Sequence, residues 1–309
     1  MRIVFCGTPE FAVPALRHLL SQPEHRIEAV VTQPDRPRGR GGNLAPSPVK
    51  QVALEAGLPV FQPQKSRSDE AYQFFQRVAP DVVVIVAYGQ IIPARLLAIP
   101  RFGWINLHAS LLPKYRGAAP INWAIASGET RTGLTTMRID AGLDTGDMLL
   151  QVELPIGSDE TAPELAVRMA ETGAPLVAET LRKLEHGELS PKPQDHAQAS
   201  LAPILKKEDG RIDWLLSAEQ IYARIRGFAP WPGAFTTFRG QLCHLWGRPG
   251  TIERTPEGPG TVMEHDQRLV VQCGRNFLEL ESVQLEGRKR IAARDFANGA
   301  RLLQNERFG

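Results

Sequence analysis

The sequence of 309 residues has little of what marks a secreted or membrane-embedded protein. Its three cysteines, Cys6, Cys243 and Cys273, lie far apart and show neither metal-ligand spacing nor a disulfide framework. No apolar stretch approaches the roughly 20 residues that a membrane-spanning helix needs. The first residues continue directly into a predicted strand, without the apolar core and cleavage site of a signal peptide. We therefore expect a cytoplasmic protein without a membrane segment.

The sequence also lacks an excess of charge of either sign. Its 36 lysines and arginines nearly balance 34 aspartates and glutamates, which gives a net charge of +2. Bulk charge therefore does not indicate a nucleic-acid-binding protein, and any such function must depend on local basic patches. Hydrophobic residues make up 42% of the chain, which is ordinary for a globular protein with a core. The length favours two domains.

The first half alternates β-rich runs with amphipathic helical stretches. The run from Val82 to Val86 is apolar without alternation, as expected for a central parallel strand covered on both faces. The predicted strands span residues 2–6, 27–32, 81–87, 104–107, 133–139 and 148–154, and a long helix spans residues 162–186. Strands separated by helices predict an α/β fold with a doubly wound, mostly parallel sheet.

The turn after the first strand contains a single glycine. Gly7 suits a tight turn, Thr8 is predicted to cap the following helix, and Pro9 suits its first position. The helix is expected to run through Leu20, although Pro14 favours a later start. The turn lacks the G-x-G-x-x-G fingerprint, which argues against a nicotinamide-dependent dehydrogenase.

The composition changes after the long helix. Residues 190–206 are polar, contain prolines and lack sustained periodicity, which predicts a linker. We therefore divide the chain into a first domain at residues 1–189, the linker, and a second domain at residues 207–309. The second domain is predicted to contain one helix at residues 217–225, followed by short strands whose spacing is typical of a small β-barrel.

Two polar residues lie at the end of a predicted strand in the first domain. Asn106 and His108 are two positions apart, so their side chains project from one face of the strand while Leu107 faces the other. Ligands of doubly wound sheets bind at the carboxyl ends of strands. The amide can donate a hydrogen bond to an oxyanion, and the imidazole can move a proton near neutral pH. Taken alone, structural capping explains such a pair better than catalysis does.

A loop between two later predicted strands holds three carboxylates and two glycines. Its residues are Asp140, Ala141, Gly142, Leu143, Asp144, Thr145, Gly146 and Asp147. A loop of this composition is also consistent with a solvated turn or with a calcium site. The spacing of an EF-hand calcium loop is missing, so the solvated turn is the stronger of these two alternatives.

Three motifs in this order resemble the signature of the 10-formyltetrahydrofolate-dependent formyltransferases. They are the Asn106-x-His108 strand, the Ser110-Leu111-Leu112-Pro113 turn, and the Gly142-Leu143-Asp144-Thr145-Gly146-Asp147 loop. The resemblance covers roughly residues 1–190. It implies a Rossmann-like domain that moves a one-carbon acyl group onto an amine.

The resemblance also implies roles for individual residues. Asn106, His108 and Asp144 would form the catalytic trio, with His108 and Asp144 serving proton transfer and Asn106 stabilising the oxyanion. The formyl donor would be 10-formyltetrahydrofolate, and the reaction would require neither a metal nor a protein nucleophile. The residues implied to contact the folate are Ser110, Leu111, Leu112, Pro113, Gly142, Leu143 and Asp144.

Further segments resemble family members that formylate methionyl-tRNA. Residues 32–37, 39–41 and 46–50 look like the insertion that contacts tRNA in those members, and residues 7–11 and 228–232 match as well. The resemblance then spans nearly the whole chain and ends in an OB-like β-barrel. It implies methionyl initiator tRNA as acceptor and partner, a role in translation initiation, and no stable protein partner.

Contacts with the tRNA are implied for Arg36, Arg38 and Arg40. These arginines alternate within a segment rich in glycine and proline, which suits a loop that orders against phosphate on binding. Gly42 and Asn43 depart from the family pattern, because some members carry basic residues there. This departure puts the strength of the phosphate contacts in doubt without changing the expected reaction.

Several residues have plainer interpretations. By composition alone, the arginine-bearing loop is an ordinary solvated loop. The family places Phe11 near the methionine side chain, but a core aromatic residue explains it equally well. We expect Trp231 to lie in the core of the barrel rather than to stack on a base. Arg288, Lys289 and Arg290 form a second candidate contact for phosphate.

Three other functions stay open on the sequence. A formyltransferase acting on an amino sugar nucleotide would share the first domain but should lack the arginine-bearing insertion. A hydrolase that releases formate from the same cofactor would use the same trio, with water in place of the amine. A non-catalytic RNA-binding protein would give no reason for an intact Asn106, His108 and Asp144.

Overall fold

The computed structural model describes residues 1–37, 44–250, 258–303 and 306–309. The chain divides into two compact bodies. The first contains residues 1–120, 131–155 and 164–203, and the second contains residues 121–130, 156–163 and 204–309.

The secondary structure is mixed in the first body and predominantly β in the second. In chain order the strands are β1 (Arg2–Gly7), β2 (Arg26–Val31), β3 (Arg36–Pro37), β4 (Leu44–Ala45), β5 (Val60–Phe61), β6 (Val82–Val86), β7 (Trp104–His108), β8 (Arg116–Gly117), β9 (Arg131–Arg138), β10 (Met148–Pro155), β11 (Leu201–Ala202), β12 (Phe235–Phe238), β13 (Gln241–Gly250), β14 (Val262–His265), β15 (Arg268–Gln272), β16 (Phe277–Leu285) and β17 (Ile291–Ala292). The helices are α1 (Val13–Leu20), α2 (Pro48–Glu55), α3 (Asp69–Val78), α4 (Ala94–Leu97), α5 (Pro120–Ala126), α6 (Ala162–Glu185), α7 (Ala218–Gly227) and α8 (Ala293–Ala300). Short 3₁₀ helices lie at Glu10–Ala12, His196–Gln198 and Lys207–Gly210.

The first body is built on a sheet with the strand order β10-β9-β7-β6-β1-β2-β5. The strands from β5 to β7 along this order are parallel, and β9 and β10 run antiparallel at one edge. The chain starts at the central strand β1, adds β2 and β5 on one side, and then adds β6, β7, β9 and β10 on the other side. The strand order therefore reverses between β1 and β6, which is where doubly wound sheets bind ligands. The predicted mostly parallel α/β domain is confirmed.

The core explains why β6 is apolar without alternation. All five of its residues, Val82–Val86, are buried, because the strand is central and covered on both faces. The neighbouring strand β7 begins with Trp104, which is only 1% exposed. Its indole Nε1 donates to the Leu96 carbonyl at 2.8 Å, and its ring lies 4.9 Å from that of Phe75. This packing on α3 and α4 anchors the start of β7, whose far end carries Asn106 and His108.

The first helix starts later than the predicted cap. The N-cap of α1 is Ala12, and Thr8 makes no cap, so that prediction was wrong. Pro14 sits in the first turn of α1, the part of a helix where a missing N–H costs nothing. The Thr8 hydroxyl instead donates to the Tyr88 carbonyl at 3.3 Å and accepts from the Gln33 backbone N–H at 3.3 Å. Thr8 thus joins the segments that follow β1, β2 and β6.

The structure places residues 190–203, which the composition predicts as a linker, within the first body. Strand β11 in this stretch pairs in parallel with β8, and the 3₁₀ helix His196–Gln198 precedes it. The second body resumes at residue 204. Our division of the chain at residues 189 and 207 stays a prediction.

The second body contains an antiparallel sheet with the order β12-β13-β16-β15-β14, and β17 pairs with β16. The prediction of a separate second domain built from short strands is confirmed, and its sheet is antiparallel. Its core includes Trp214, Phe238 and Phe296, which are all buried. Trp231 is 55% exposed, so its assignment to the core was wrong. The residue lies in the turn between α7 and β12, where no strand pleat directs its side chain inward.

The described residues contain few of the features typical of secreted, membrane or metal-binding proteins. All three cysteines are buried and free. None of the described helices is both long enough and apolar enough to cross a bilayer. In the same part of the chain, His, Cys, Asp and Glu side chains form no group of three that could hold a metal ion.

Helix α3 offers a test of how the core beside β7 is held. The hydroxyl of its N-cap, Ser68, accepts from the Ala71 backbone N–H at 3.1 Å. We expect Ser68→Ala to lower the free energy of unfolding by about 1 kcal/mol in chemical denaturation, because that N–H loses its partner. Ser68→Asn retains an acceptor and should stay within a few tenths of a kcal/mol of the parent. Equal losses in both variants would contradict the capping role.

Candidate functional site

Asn106 and His108 lie where the predicted strand end places them. Strand β7 runs between β6 and β9, with Asn106 paired to Ile85 and Met137. His108 is only 5% exposed, whereas Asn106 is partly exposed. Within the described residues, the Asn106 side chain makes no hydrogen bond, so both of its amide N–H groups are available to a ligand.

The two ring nitrogens of His108 face different oxygen atoms. Nε2 lies 2.9 Å from the Tyr115 backbone carbonyl, which can only accept, so Nε2 carries a proton. Nδ1 lies 3.7 Å from Asp144 Oδ2. That separation is longer than a hydrogen bond, which leaves Nδ1 as the nitrogen that can exchange a proton with a ligand.

Asp144 is held by a backbone hydrogen bond and by an unusual conformation of its own. The Gly117 N–H donates to Oδ2 at 2.8 Å, the same oxygen that faces the imidazole. Asp144 has a φ of 51°, in the left-handed region that non-glycine residues rarely adopt. Its side chain is 18% exposed, so the carboxylate lies close to His108 while keeping some access to solvent.

Hydrogen bonds within the acidic loop fix its conformation, while residues 140–143 stay exposed to solvent. Asp140 Oδ1 accepts from the Gly142 N–H at 3.0 Å and from the Thr145 hydroxyl at 2.7 Å. A side chain at Gly146 would collide with the Arg138 carbonyl, which explains the glycine there. Because Asp140 is used to fold the loop, the three carboxylates of this loop do not gather into a metal site.

The turn at residues 110–113 follows β7 and is fixed by internal hydrogen bonds. The buried Ser110 hydroxyl donates to the Lys114 carbonyl at 2.6 Å. The Thr135 hydroxyl on β9 accepts from the Leu112 N–H at 3.1 Å and donates to the Ser110 carbonyl at 2.7 Å. Gln151 on β10 donates to the Leu112 carbonyl at 3.0 Å. Ser110 and Leu112 therefore shape the turn from inside.

The residues predicted to touch the folate differ in exposure. Ser110 and Leu112 are buried, while Leu111 and Pro113 are partly exposed. Leu143 is 61% exposed, which is high for a leucine beside a polar site. The exposed members can reach a ligand at this edge, and the folate contacts stay a prediction.

A cavity of about 390 Å³ opens at the point where the strand order reverses. Its lining comes from the segments after β1, β2 and β6, and it includes Thr8, Gln33, Asp35, Arg36 and Tyr88. Hydrogen bonds from Lys50 Nζ at 2.5 Å and from Gln62 Nε2 at 2.8 Å lower the pKa of Asp35. Gln33 and Asp35 belong to the segment that resembles the tRNA-contacting insertion, whereas Tyr88 carries no sequence signal of a site, because only the sheet topology brings the segment after β6 beside it.

The predicted tRNA contacts are described only in part. Arg36 lies on the exposed strand β3 and donates to Gln33 Oε1 at 2.7 Å. Arg38 and Arg40 lie outside the described residues, as do Gly42 and Asn43. Phe11 lies in the 3₁₀ helix Glu10–Ala12 and is partly exposed, so it is not a fully buried core residue. No hydrogen bond in the described part of the chain joins Arg36 to the trio.

The basic cluster of the second body lies beside a cavity of about 530 Å³. Arg288 and Lys289 line it together with apolar side chains such as Phe238 and Phe296. The Arg290 guanidinium is engaged elsewhere, because it stacks on Trp246 at 4.0 Å and donates to Ser282 Oγ at 2.6 Å. Two of the three cluster residues are thus placed to meet a ligand.

Two buried polar residues of the first body, outside the three motifs, contact the segments that hold His108 and Asp144. Arg116 is 7% exposed and Gln194 is 6% exposed, and they hydrogen-bond to each other. Gln194 also donates to the backbone carbonyl of Asp144 at 2.8 Å. Gln194 lies in the stretch whose composition predicts a linker, so the sequence offers no signal for its burial.

Solved structures of related folds match this chain. WlaRD, a sugar 3N-formyl transferase solved in the presence of dTDP and 5-N-formyl-THF, matches with a TM-score of 0.65 and 17% identity, over 94% of this chain and 99% of WlaRD. HypX from Aquifex aeolicus, solved in complex with tetrahydrofolic acid, matches with a TM-score of 0.60 and 17% identity, over 96% of this chain. The chain spans about half the length of HypX, 47%. At these identities the likeness shows the fold alone.

Curated relatives are much closer in sequence. The methionyl-tRNA formyltransferase of Solibacter usitatus is 56% identical over 310 residues, covering 100% of this chain and 99% of that protein. The protein of the same name from Geobacter metallireducens is 50% identical over 310 residues, with the same coverage. The family described as formyl transferase matches residues 1–181, and its C-terminal domain matches residues 204–301. The chain therefore belongs to the formyl transferase family.

Proposed function

We propose that this chain transfers the formyl group of 10-formyltetrahydrofolate to the α-amino group of methionyl initiator tRNA, and so supports translation initiation in the cytoplasm. The observation that carries the proposal is that His108 Nδ1 lies 3.7 Å from Asp144 Oδ2, on the strand face that also carries Asn106, whose side-chain amide has no hydrogen-bond partner among the described residues. Relatives named for this activity are 50% to 56% identical over the whole chain, which supports the same reaction here.

Proton transfer falls to His108. An amine attacks a carbonyl carbon only through its lone pair, so the ammonium form of the acceptor must first lose a proton. His108 Nε2 is held by the Tyr115 carbonyl, and Nδ1 is therefore the atom that takes this proton. Asp144, whose Oδ2 lies 3.7 Å from Nδ1, stabilises the imidazolium that results.

Asn106 stabilises the charge that develops on the formyl oxygen. Its side chain lies on the same face of β7 as His108, and its amide hydrogens have no partner among the described residues. A preorganised donor of this kind lowers the barrier because it need not break another hydrogen bond first. The nucleophile is the amine itself, so the chain needs no nucleophilic side chain.

The carboxyl edge of the sheet fits a folate. Bound 10-formyltetrahydrofolate would supply the formyl carbon, and the proton that His108 takes from the amine would pass to N10 as the bond between N10 and the formyl carbon breaks. A folate carries a pterin and a benzoyl ring, whose faces can pack on apolar side chains, and two large apolar side chains stand exposed near this edge: Leu143 is 61% exposed, and Ile91, which follows β6, is 92% exposed. Exposed apolar side chains of this size are typical of ligand surfaces.

The choice of acceptor rests on features outside the trio. Arg36 is exposed on β3 at the rim of the 390 Å³ cavity, and Arg38 and Arg40 continue the same segment in sequence. Arginines contact phosphate through paired hydrogen bonds. An amino sugar nucleotide carries far fewer phosphates than a tRNA and would not require this segment.

Replacement of the trio should abolish most of the activity without unfolding the protein. We expect Asn106→Ala, His108→Ala and Asp144→Ala each to reduce turnover on the order of 10²- to 10⁴-fold, because each removes a proton-transfer or charge-stabilising group. The measurement is the rate of formyl-methionyl-tRNA formation at saturating donor. Asn298→Ala and His265→Ala, which lie in the second body, are matched controls and should retain full turnover. Near-normal turnover in a trio variant would remove that residue from the chemistry.

The acceptor assignment is tested by competition between substrates. We expect the purified chain and 10-formyltetrahydrofolate to formylate methionyl initiator tRNA, and to leave uncharged tRNA and an amino sugar nucleotide unmodified. The products are separated by chromatography after a fixed time. Transfer to the sugar nucleotide but not to the charged tRNA would overturn the proposal, and release of free formate without an acceptor would indicate the hydrolase.

The arginine-bearing segment should act on tRNA use and not on the chemistry. We expect Arg36→Ala and Arg40→Ala to raise the KM for methionyl-tRNA and to weaken its dependence on salt, since each loses a phosphate contact. Turnover at saturating tRNA should change little. Arg77→Ala, which removes an exposed arginine at the end of α3, is the matched control. Unchanged KM values in both test variants would return this segment to an ordinary solvated loop.

A further inference from the structure

Gln194 uses every hydrogen-bonding position of its side chain. Its Nε2 donates to the Asp144 carbonyl and to the Gly146 carbonyl, both at 2.8 Å. Its Oε1 accepts from Arg116 Nη2 at 2.7 Å and from Arg116 Nε at 3.1 Å. A primary amide has two N–H donors and one oxygen with two lone pairs, and all four are engaged here. A buried side chain with this many partners is fixed in one orientation.

The orientation of this amide cannot be reversed. A flipped amide would place its N–H groups against the guanidinium of Arg116 and its oxygen against two backbone carbonyls. Both arrangements oppose groups of the same kind, and burial would make each mismatch costly. The Gln194 amide therefore fits only the observed arrangement of the Asp144 loop carbonyls and the Arg116 guanidinium.

Three consecutive residues connect Gln194 to the two catalytic side chains. The Tyr115 carbonyl accepts from His108 Nε2, the Arg116 guanidinium binds Gln194, and the Gly117 N–H binds Asp144 Oδ2. Tyr115 has a φ of 59°, in the left-handed region, as Asp144 does. Residues in that region keep such conformations only where their surroundings hold them.

The chain around Gln194 strengthens the same connection. The Arg116 backbone N–H donates to the Ser200 carbonyl at 2.8 Å, and the Tyr115 N–H donates to Ser200 Oγ at 2.9 Å. The Arg116 guanidinium also meets His196 Nδ1 at 3.1 Å. Among the described residues no carboxylate pairs with this buried guanidinium, so the Gln194 and His196 side chains supply its acceptors.

We propose that Gln194 is a positioning residue for formyl transfer: it fixes the backbone of Asp144 and, through Arg116, the segment 115–117, and so sets the distance between the Asp144 carboxylate and the His108 ring. The proposal rests on the proposed function, because formyl transfer is one of its readouts. Gln194 makes no hydrogen bond to the side chain of His108 or Asp144 among the described residues. It acts on this pair through the backbone carbonyls of the Asp144 loop and through the Arg116 guanidinium.

The test compares two replacements of Gln194 with a matched control. Gln194→Ala removes all four hydrogen bonds. Gln194→Glu keeps acceptors for Arg116 and satisfies its buried charge, but its oxygens repel the Asp144 and Gly146 carbonyls. Gln198→Ala removes an exposed glutamine from the same segment, one that donates only to Asp195. The Gln194→Glu variant thus separates the loss of loop positioning from the loss of folding.

We expect Gln194→Ala and Gln194→Glu to lower kcat about 10- to 100-fold, as displacements near 1 Å do at catalytic groups. The KM values for both substrates should change by less than about 3-fold, and the pH profile of kcat should move, because the His108 and Asp144 separation changes. The melting temperature of Gln194→Glu should lie closer to that of the parent than the melting temperature of Gln194→Ala does, because its carboxylate pairs with the buried Arg116 guanidinium and offsets part of the repulsion from the two carbonyls. Gln198→Ala should match the parent in every measurement. A parental kcat and pH profile in both Gln194 variants would overturn the proposal, as would a loss of activity that only follows the fraction of unfolded protein.

Hydrogen exchange separates this inference from the proposed function. The Gly117 amide donates to Asp144 Oδ2, so its exchange rate reports whether the carboxylate is held, whatever the reaction. We expect this amide to exchange at least about 10-fold faster in both Gln194 variants and at the parental rate in Gln198→Ala. If the parent protein fails to formylate methionyl-tRNA, the proposed function falls while this measurement still decides the role of Gln194. Unchanged exchange at Gly117 would refute it.

Discussion

The hydrogen bonds of residues 115–117 determine the geometry of the candidate site. His108 lies at the end of β7, whereas Asp144 lies in the loop before β10 and outside any strand. Backbone pairing within the sheet therefore does not fix the position of Asp144 relative to His108. Their relation is set by the Tyr115 carbonyl, which orients the ring, and by the Gly117 N–H, which orients the carboxylate. Because this short segment supplies an acceptor for the ring and a donor for the carboxylate, it sets the distance between the His108 ring and the Asp144 carboxylate. Proton transfer depends steeply on such distances.

The same segment carries a cost that the surrounding structure must offset. A buried guanidinium without a carboxylate loses hydration and regains it only through well-placed acceptors. Arg116 finds them in Gln194 and His196, while left-handed conformations at Tyr115 and Asp144 each cost roughly 1 to 2 kcal/mol. Stored strain and fully paired buried polar groups occur together at functional sites. Here they coincide with the His108 and Asp144 pair, to which we assign the proton transfer.

Local patterns in the sequence predicted the elements that depend on local physics. The unalternating Val82–Val86 run is central and buried, and Asn106 and His108 end a strand on one face, because side-chain direction alternates along any strand. The cap at Thr8 failed because Pro14 moved the start of α1 and left the hydroxyl to bind Tyr88. The prediction that Trp231 lies in the core was also wrong, because a residue in a turn has no strand pleat to direct its side chain inward.

The sequence by itself determined the class of sheet, the succession of an α/β and an antiparallel β unit, and the motifs that resemble a formyl-transfer signature. Tertiary structure alone decided that Asp144 faces Nδ1 of His108 and that Gln194, 50 positions further along the chain, holds the Asp144 loop. Strands and helices repeat every two or 3.6 residues and so leave a periodic trace in the sequence. A contact between residues far apart leaves none, because it depends on how the whole chain closes around its core.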